Sequence, residues 1–188
     1  MAAWARCPIL SSDQEPDDTD LKAQSRNAFA LILAKLGRRD HSEKELERAL
    51  GRKGYSEETV AAALRRAKRE GLVNDERLAG TIARMNARSG KRGPLRVVAT
   101  LRQKGIPKEA AQAAAKEAFA GSEEAQTSLV RFASRLLARA KGDTIREKRV
   151  RVVRSLMGRG FGLSEARGAL RLAENALIEE NTRHDADE

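Results

Sequence analysis

A short stretch that occurs three times constrains this chain more than any other feature of its sequence. Each copy places a Leu, a basic residue, a Gly and an apolar residue in the same order. The copies occupy residues 50–58, 101–109 and 156–165. Their glycines, Gly54, Gly105 and Gly160, are separated by 51 and 55 residues. A period of this size predicts a tandem repeat in which each copy belongs to one supersecondary unit.

Each copy has the sequence of a helix end followed by a helix start. A basic residue in the last turn suits the helix macrodipole, and Gly readily takes the left-handed conformation that closes a helix. The apolar residue after Gly can pack back on that turn, while Ser56 and Pro107 are of the types that begin helices. Because no stretch is typical of a strand, the chain is predicted to be all-α, with three tandem three-helix repeats.

The period divides the chain into three units between two acidic ends. The predicted segments are disordered tails at 1–20 and 179–188, and repeats at 21–72, 73–121 and 122–178. The first strongly amphipathic helix is expected to begin near Ser25. Since a unit of about 50 residues buries little surface by itself, neighbouring units are expected to share cores.

Apolar residues at helical spacing mark the faces that are expected to be buried. In the second unit these residues are Leu78, Ile82 and Met85 on one helix and Leu95, Val98 and Leu101 on the next. Both sets are predicted to face inward.

The charge of the chain is strongly basic and unevenly distributed. Lys and Arg number 37 against 27 Asp and Glu, a net charge of +10. Each of the three units carries +6, and each tail carries −4. A folded body of this sign attracts polyanions or an acidic protein surface. The alternative is an Arg-rich soluble protein whose basic residues are simply solvated.

Several classes of function are disfavoured by what the sequence lacks. The single cysteine, Cys7, cannot form an internal disulfide, which is typical of a reducing cytoplasm. No apolar run is long enough to span a membrane, and the start of the chain lacks a signal-peptide pattern. His41 and His184 have no metal-ligand spacing, and no phosphate-cradling glycine loop is present. We therefore expect a cytoplasmic monomer that is not an enzyme and holds no cofactor.

Basic residues around the second helix of each unit are the candidate binding residues. They are Arg52, Lys53, Lys91, Arg92, Arg96, Arg102, Lys104, Arg146, Lys148, Arg149, Arg151, Arg154 and Arg159. Arg side chains can pair with phosphates or carboxylates through two parallel hydrogen bonds. Two other interpretations stay open: a solvated helix face, and, for Lys53, Lys104 and Arg159, a charge that merely complements a helix C-terminus.

Two segments at a fixed spacing resemble the bacterial RecX family of recombinase regulators. They are Gly-Leu-Val-Asn-Asp-Glu-Arg-Leu-Ala at 71–79 and Gly-Pro-Leu-Arg-Val-Val-Ala-Thr-Leu-Arg-Gln-Lys-Gly-Ile at 93–106. The resemblance covers roughly residues 25–120, and Arg159-Gly160-Phe161 stands in the third unit where Lys104-Gly105-Ile106 stands in the second.

The resemblance implies a modulator of the RecA recombinase in DNA repair, recombination and the SOS response. Members of the family are built of tandem three-helix repeats in an elongated, curved molecule. They bind in the groove of the RecA–DNA filament and typically inhibit its ATPase and strand exchange. The implied partners are thus RecA and DNA. Because aromatic residues are only 3% of the chain, DNA contact is expected to be phosphate-directed and weakly sequence-specific.

Two other functions remain open at this point. The three-helix units can also fit a RecA-independent DNA-binding protein that inserts a helix into the major groove. A structural adaptor for an acidic protein is the third class, and it predicts no salt-dependent affinity for DNA. We further expect the acidic tails to screen the basic face from non-specific DNA.

Overall fold

A computed structural model describes the backbone of residues 18–184 and the side chains of residues 23–179. This part of the chain contains nine α-helices and no β-strand, which confirms the all-α prediction. The helices are α1 (Asp18–Leu36), α2 (Glu43–Gly51), α3 (Glu57–Arg69), α4 (Asp75–Ser89), α5 (Pro94–Gln103), α6 (Lys108–Phe119), α7 (Glu123–Ala138), α8 (Ile145–Gly158) and α9 (Leu163–His184).

The helices pack in three consecutive groups of three. In each group the first and third helices lie against each other and the second packs on the pair. Each group has its own buried cluster, and Phe119 contacts both the second and the third. The expected sharing of cores is therefore limited to Phe119 between the second and third groups, because each group buries most of its apolar faces internally. The elongated, curved shape stays a prediction.

The repeated stretch forms the same helix-closing turn in all three groups. Gly54, Gly105 and Gly160 have φ values of 85°, 91° and 89°, a left-handed conformation that costs a residue with a side chain about 1 kcal/mol or more. The next amide donates to the carbonyl five residues earlier, as from Ile106 to Leu101 at 3.1 Å and from Phe161 to Leu156 at 3.3 Å. These are Schellman turns, and they confirm the helix-ending role inferred for the glycines.

The unequal spacing of the repeats has its origin in α8. Helix α5 has 10 residues and α8 has 14. The extra four residues match the longer step from Gly105 to Gly160, and they add about one turn at 3.6 residues per turn. The side chain of Thr144 caps this extended helix by accepting from the Glu147 amide at 3.2 Å.

Both ends of the helical region reach further than the apolar pattern indicates. Helix α1 begins at Asp18 rather than near Ser25, and α9 continues to His184, past the predicted boundary at residue 178. An apolar stripe marks where a helix is buried and not where it stops, which explains the difference. The rest of the predicted tails, residues 1–17 and 185–188, lies outside the described residues.

The first and second groups meet where the Lys104–Gly105 turn lies against the start of α2. Ser42 is the N-cap of α2, and its buried hydroxyl donates to the carbonyl of Lys104. The Lys104 ammonium lies 2.9 Å from Glu45 Oε1. The amide of Glu43 donates to Asp75 Oδ1 at 2.9 Å. Hydrogen bonds and an ion pair therefore dominate this junction.

The second and third groups meet through the equivalent turn, now packed on the start of α5. The amide of Gly93 donates to Arg159 O at 2.9 Å, and the amide of Leu95 donates to Gly160 O at 3.1 Å. Gly93 has no side chain to cap α5, so carbonyls of the next group satisfy these helix N-terminal donors. Helix α4 also packs against α7. The turn at Gly160 thus closes α8 and caps α5 of the preceding group.

Two residues that were predicted to face inward are exposed. Leu95 is 66% exposed and Met85 is exposed on α4. In α5 the core positions are Val97 and Leu101, one turn apart, which leaves Leu95 on the far side of the first turn. Leu78 is buried as predicted.

Glu45 makes the first junction sensitive to pH. Partial burial would raise the pKa of Glu45, but hydrogen bonds from Lys104, from the Ser42 amide and from Arg39 outweigh it and lower the pKa from 4.5 to about 2. A carboxylate with a depressed pKa stabilises the folded chain above its unfolded pKa, and that stability is lost as the pH falls towards 2.

We therefore predict that Glu45→Gln lowers the free energy of unfolding by about 2 kcal/mol at pH 6. The difference between variant and wild type should shrink between pH 4.5 and 2. Urea titrations over this pH range measure it. Glu47→Gln, at an exposed position of the same helix, is the control and should change stability by less than about 0.5 kcal/mol. A pH-independent difference for Glu45→Gln would contradict the assignment.

Candidate binding surface

The structure divides the thirteen candidate bases into free and engaged side chains. Eight are exposed, and among the described residues their side chains have no hydrogen-bond or ion-pair partner. They are Arg52, Lys53, Lys91, Arg92, Arg96, Arg102, Arg146 and Arg154. Such side chains can reach an external phosphate or carboxylate without first breaking an internal contact.

The base that precedes the repeated Gly has an internal partner in two of the three groups. The Lys104 side chain is 23% exposed, and its ammonium forms an ion pair with Glu45. Arg159 donates from Nη1 to Ser155 Oγ at 2.7 Å, and its guanidinium lies 5.1 Å from the centre of the Phe132 ring. These contacts favour a structural role for Lys104 and Arg159. Lys53 occupies the equivalent position in the first group and is exposed.

Two further candidates on α8 bind within their own group, and a third is half-buried. Arg149 donates to both carboxylate oxygens of Glu174 on α9, at 2.7 and 3.0 Å, and this carboxylate raises the pKa of Arg149. Arg151 donates to the carbonyl of Lys141 at 2.6 Å. Lys148 is half-buried. Arg146 and Arg154 are therefore the free bases of α8.

The densest group of free bases surrounds the start of α5. Lys91 and Arg92 lie in the loop before the helix, and Arg96 lies in its first turn. Positive charge there adds to the positive end of the helix macrodipole. We call Lys91, Arg92 and Arg96 the α5 cluster.

The glycines around the α5 cluster have a packing role. A Cβ atom on Gly90 would lie 2.4 Å from Ser128 O, and one on Gly93 would lie 2.3 Å from Gly160 O. The Gly-Lys-Arg-Gly run at 90–93 therefore allows close backbone contact with the third group, and this accounts for its glycines without a bound nucleotide.

A groove beside the first group adds basic residues that the sequence did not single out as a site. It has a volume of about 1000 Å³ and lies between α2, α3 and the turn at Gly105. Its walls carry Lys44, Arg48, Arg65, Lys68 and Arg69, together with Glu43, Glu47, Glu57 and Asp75. The bases late in α3 were visible in the sequence, but their meeting with α2 depends on tertiary packing. With both signs of charge present, the groove is not a simple anion site.

The described side chains form no metal-binding group. Among residues 23–179 no group of three or more His, Cys, Asp or Glu is placed to hold a metal ion. None of the helices in this part of the chain is long and apolar enough to cross a membrane.

Tandem three-helix groups with unpartnered basic side chains define a helical repeat protein. Comparison with known proteins shows which family the chain resembles. The family model described as "RecX, first three-helix domain" matches residues 28–66, and "RecX, second three-helix domain" matches residues 74–114. These ranges fall within the first and second helix groups.

Curated relatives extend the match over most of the chain. Regulatory protein RecX of Pelodictyon phaeoclathratiforme is 33% identical over 82% of this chain and 92% of its own length. Regulatory protein RecX of Chlorobaculum tepidum is 32% identical over 87% of this chain and 97% of its own. The chain therefore belongs to the RecX family of regulatory proteins, which confirms the family resemblance.

Solved structures agree with the fold. The crystal structure of RecX from Lactobacillus salivarius superposes with a TM-score of 0.74, at 20% identity, over 81% of this chain and 98% of that one. A second crystal structure, of a regulatory protein RecX, gives a TM-score of 0.69 at 24% identity, over 80% of this chain and 77% of that one.

Proposed function

We propose that this chain binds the filament that RecA forms on DNA and lowers the ATPase and strand-exchange activity of RecA. Membership in a family of regulatory proteins supports the proposal. The observation that carries it is the set of eight exposed, unpartnered bases spread over all three helix groups. A protein–DNA filament repeats its negative charges along its axis, and bases repeated along this chain complement such a partner.

In this proposal the chain inhibits RecA by bridging adjacent subunits of the filament. A chain whose groups contact adjacent filament subunits hinders their ATP-linked rearrangement, and it occupies space that a second DNA duplex needs. Both effects are steric and electrostatic, so they require no chemistry from the chain itself. We also propose that the chain acts as a monomer in the cytoplasm.

Filament binding is tested by co-sedimentation. RecA filaments assembled on single-stranded DNA are pelleted with this chain over a range of salt concentrations. We expect the chain to pellet with the filament, with an affinity that falls as salt rises. A chain that stays in the supernatant at both low and moderate salt refutes the proposal.

Binding to DNA without RecA is the competing function, and the geometry of α5 weighs against its major-groove form. A DNA-recognition helix contacts the edges of the nucleobases through its N-terminal residues. In α5 the amides of Gly93 and Leu95 are bonded to carbonyls of the Arg159–Gly160 turn, so the next group lies against the N-terminal end of the helix. Gel shifts with single-stranded, duplex and RecA-coated DNA separate the two functions. Tight, sequence-specific duplex binding without RecA would favour the competitor.

A further inference from the structure

Helix α8 exposes more apolar surface than its place in the fold requires. Val152 and Leu156 bury the inner face at 2% and 0% exposure. Val150 and Met157 are nevertheless 49% and 47% exposed on one face of the helix, and Ile145, which is 68% exposed, lies on another face. Exposed apolar side chains that share a helix face and lack a partner mark interaction surfaces more often than isolated ones do.

Four of the exposed residues of α8 form one stripe of alternating basic and apolar side chains. Arg146, Val150, Arg154 and Met157 follow each other at steps of four, four and three residues, so they lie on one face of the helix. The two Arg side chains of the stripe are exposed and have no partner among the described residues. We call these four residues the α8 stripe.

A related stripe begins where the α8 stripe ends. Leu95, Ala99 and Arg102 of α5 are exposed and occupy the repeat positions of Val150, Arg154 and Met157. The Leu95 amide donates to the carbonyl of Gly160, three residues beyond Met157, so the start of α5 abuts the end of α8. Exposed apolar and basic residues therefore occupy equivalent repeat positions on both α5 and α8.

The chemistry of the stripe favours a protein partner over nucleic acid. Apolar area gains roughly 25 cal/mol per Å² only when another apolar surface covers it, and a phosphate backbone offers none. Unpartnered Arg side chains on either side of Val150 pair well with carboxylates. We propose that the α8 stripe docks an acidic, amphipathic helix of a protein partner. This inference rests on the proposed function. In it, the α8 stripe contacts RecA subunits and the α5 cluster contacts DNA phosphates.

The test uses substitutions that leave the charge unchanged. In the full-length double variant Val150→Ser with Met157→Ser, we expect the affinity for RecA filaments to fall roughly tenfold or more, because a covered apolar contact is lost. The affinity for single-stranded DNA alone, at the same salt, should not change. Ile178→Ser is the control, since Ile178 is 62% exposed on α9 and lies outside the stripe.

The outcomes separate this inference from the proposed function. If wild type binds filaments and the double variant binds equally well, the α8 stripe is not the docking surface although the function stands. An equal loss of affinity for filament and for bare DNA likewise overturns the assignment to protein. Failure of the wild-type chain to bind filaments refutes the proposed function itself. The variants should keep the wild-type thermal midpoint, because both side chains are half exposed.

Discussion

Replacing Gly160 with alanine is expected to lower the free energy of unfolding by about 3 kcal/mol. A left-handed φ of 89° costs an alanine about 1 kcal/mol or more. The new Cβ would also lie 2.4 Å from the backbone nitrogen of Arg96, and overpacking against backbone costs a further 1–3 kcal/mol or so. The third group can relieve the clash only by moving away from the start of α5. Urea unfolding followed by circular dichroism measures the loss.

Gly54→Ala is the matched control for this prediction. Gly54 has nearly the same φ, 85°, but an added Cβ meets no atom within 4 Å. The control therefore bears only the conformational cost of about 1 kcal/mol. Equal losses for Gly54→Ala and Gly160→Ala would show that the turn merely ends a helix and does not join two groups.

Neutralising the α5 cluster is expected to give the largest functional effect. In Arg92→Ala with Arg96→Ala, the affinity for DNA and for the RecA–DNA filament should fall about tenfold for each base removed. If both bases contact phosphates, the slope of log K against log salt becomes shallower by about 2. Fluorescence anisotropy with labelled single-stranded DNA over a salt series measures both quantities.

The double variant Arg167→Ala with Arg171→Ala is the matched control. It makes the same change in net charge on α9. Both arginines are exposed on α9, which carries none of the candidate bases. A smaller effect is expected, because only the long-range field of the chain is reduced. If the α9 variant loses as much affinity and as much salt dependence, then net charge rather than the α5 cluster governs binding.

The repeated helix-closing turn was predictable because its cause is local. A Gly that must adopt positive φ, an apolar residue after it and a helix-start residue lie within a few positions of one another, as at Gly105, Ile106 and Pro107. Local chemistry of this kind is visible in a sequence. The three-helix arrangement follows from counting such signals along the chain.

The second role of the same turn was not predictable from the sequence. Ser42 and Lys104 are 62 residues apart, and nothing local indicates that a hydroxyl of one group meets a carbonyl of the next. The same distance hides the partner of the Lys104 ammonium, which appeared to be either a binding residue or a simple helix-end charge. Candidate bases were therefore recognisable by type, while the division into free and engaged ones required the tertiary structure.

Leu95 illustrates the limit of helical periodicity. The spacing of Leu95, Val98 and Leu101 fits an inward stripe, yet the core is formed by Val97 and Leu101 and leaves Leu95 exposed. In a short helix two stripes can share one residue, and packing against the other helices decides between them. The exposed apolar surface on α5 and α8 is thus a product of packing.

The DNA-dependent ATPase of RecA, titrated with this chain, tests the central claim most directly. RecA is assembled on single-stranded DNA at moderate salt, and ATP hydrolysis is followed as the chain is added. We predict a saturable fall in the hydrolysis rate for wild type, and a fall that needs about a hundredfold more protein for Arg92→Ala with Arg96→Ala, at about tenfold for each base removed. An unchanged rate at concentrations that saturate filament binding would contradict inhibition, and an unchanged rate with no binding would contradict the proposed function as a whole.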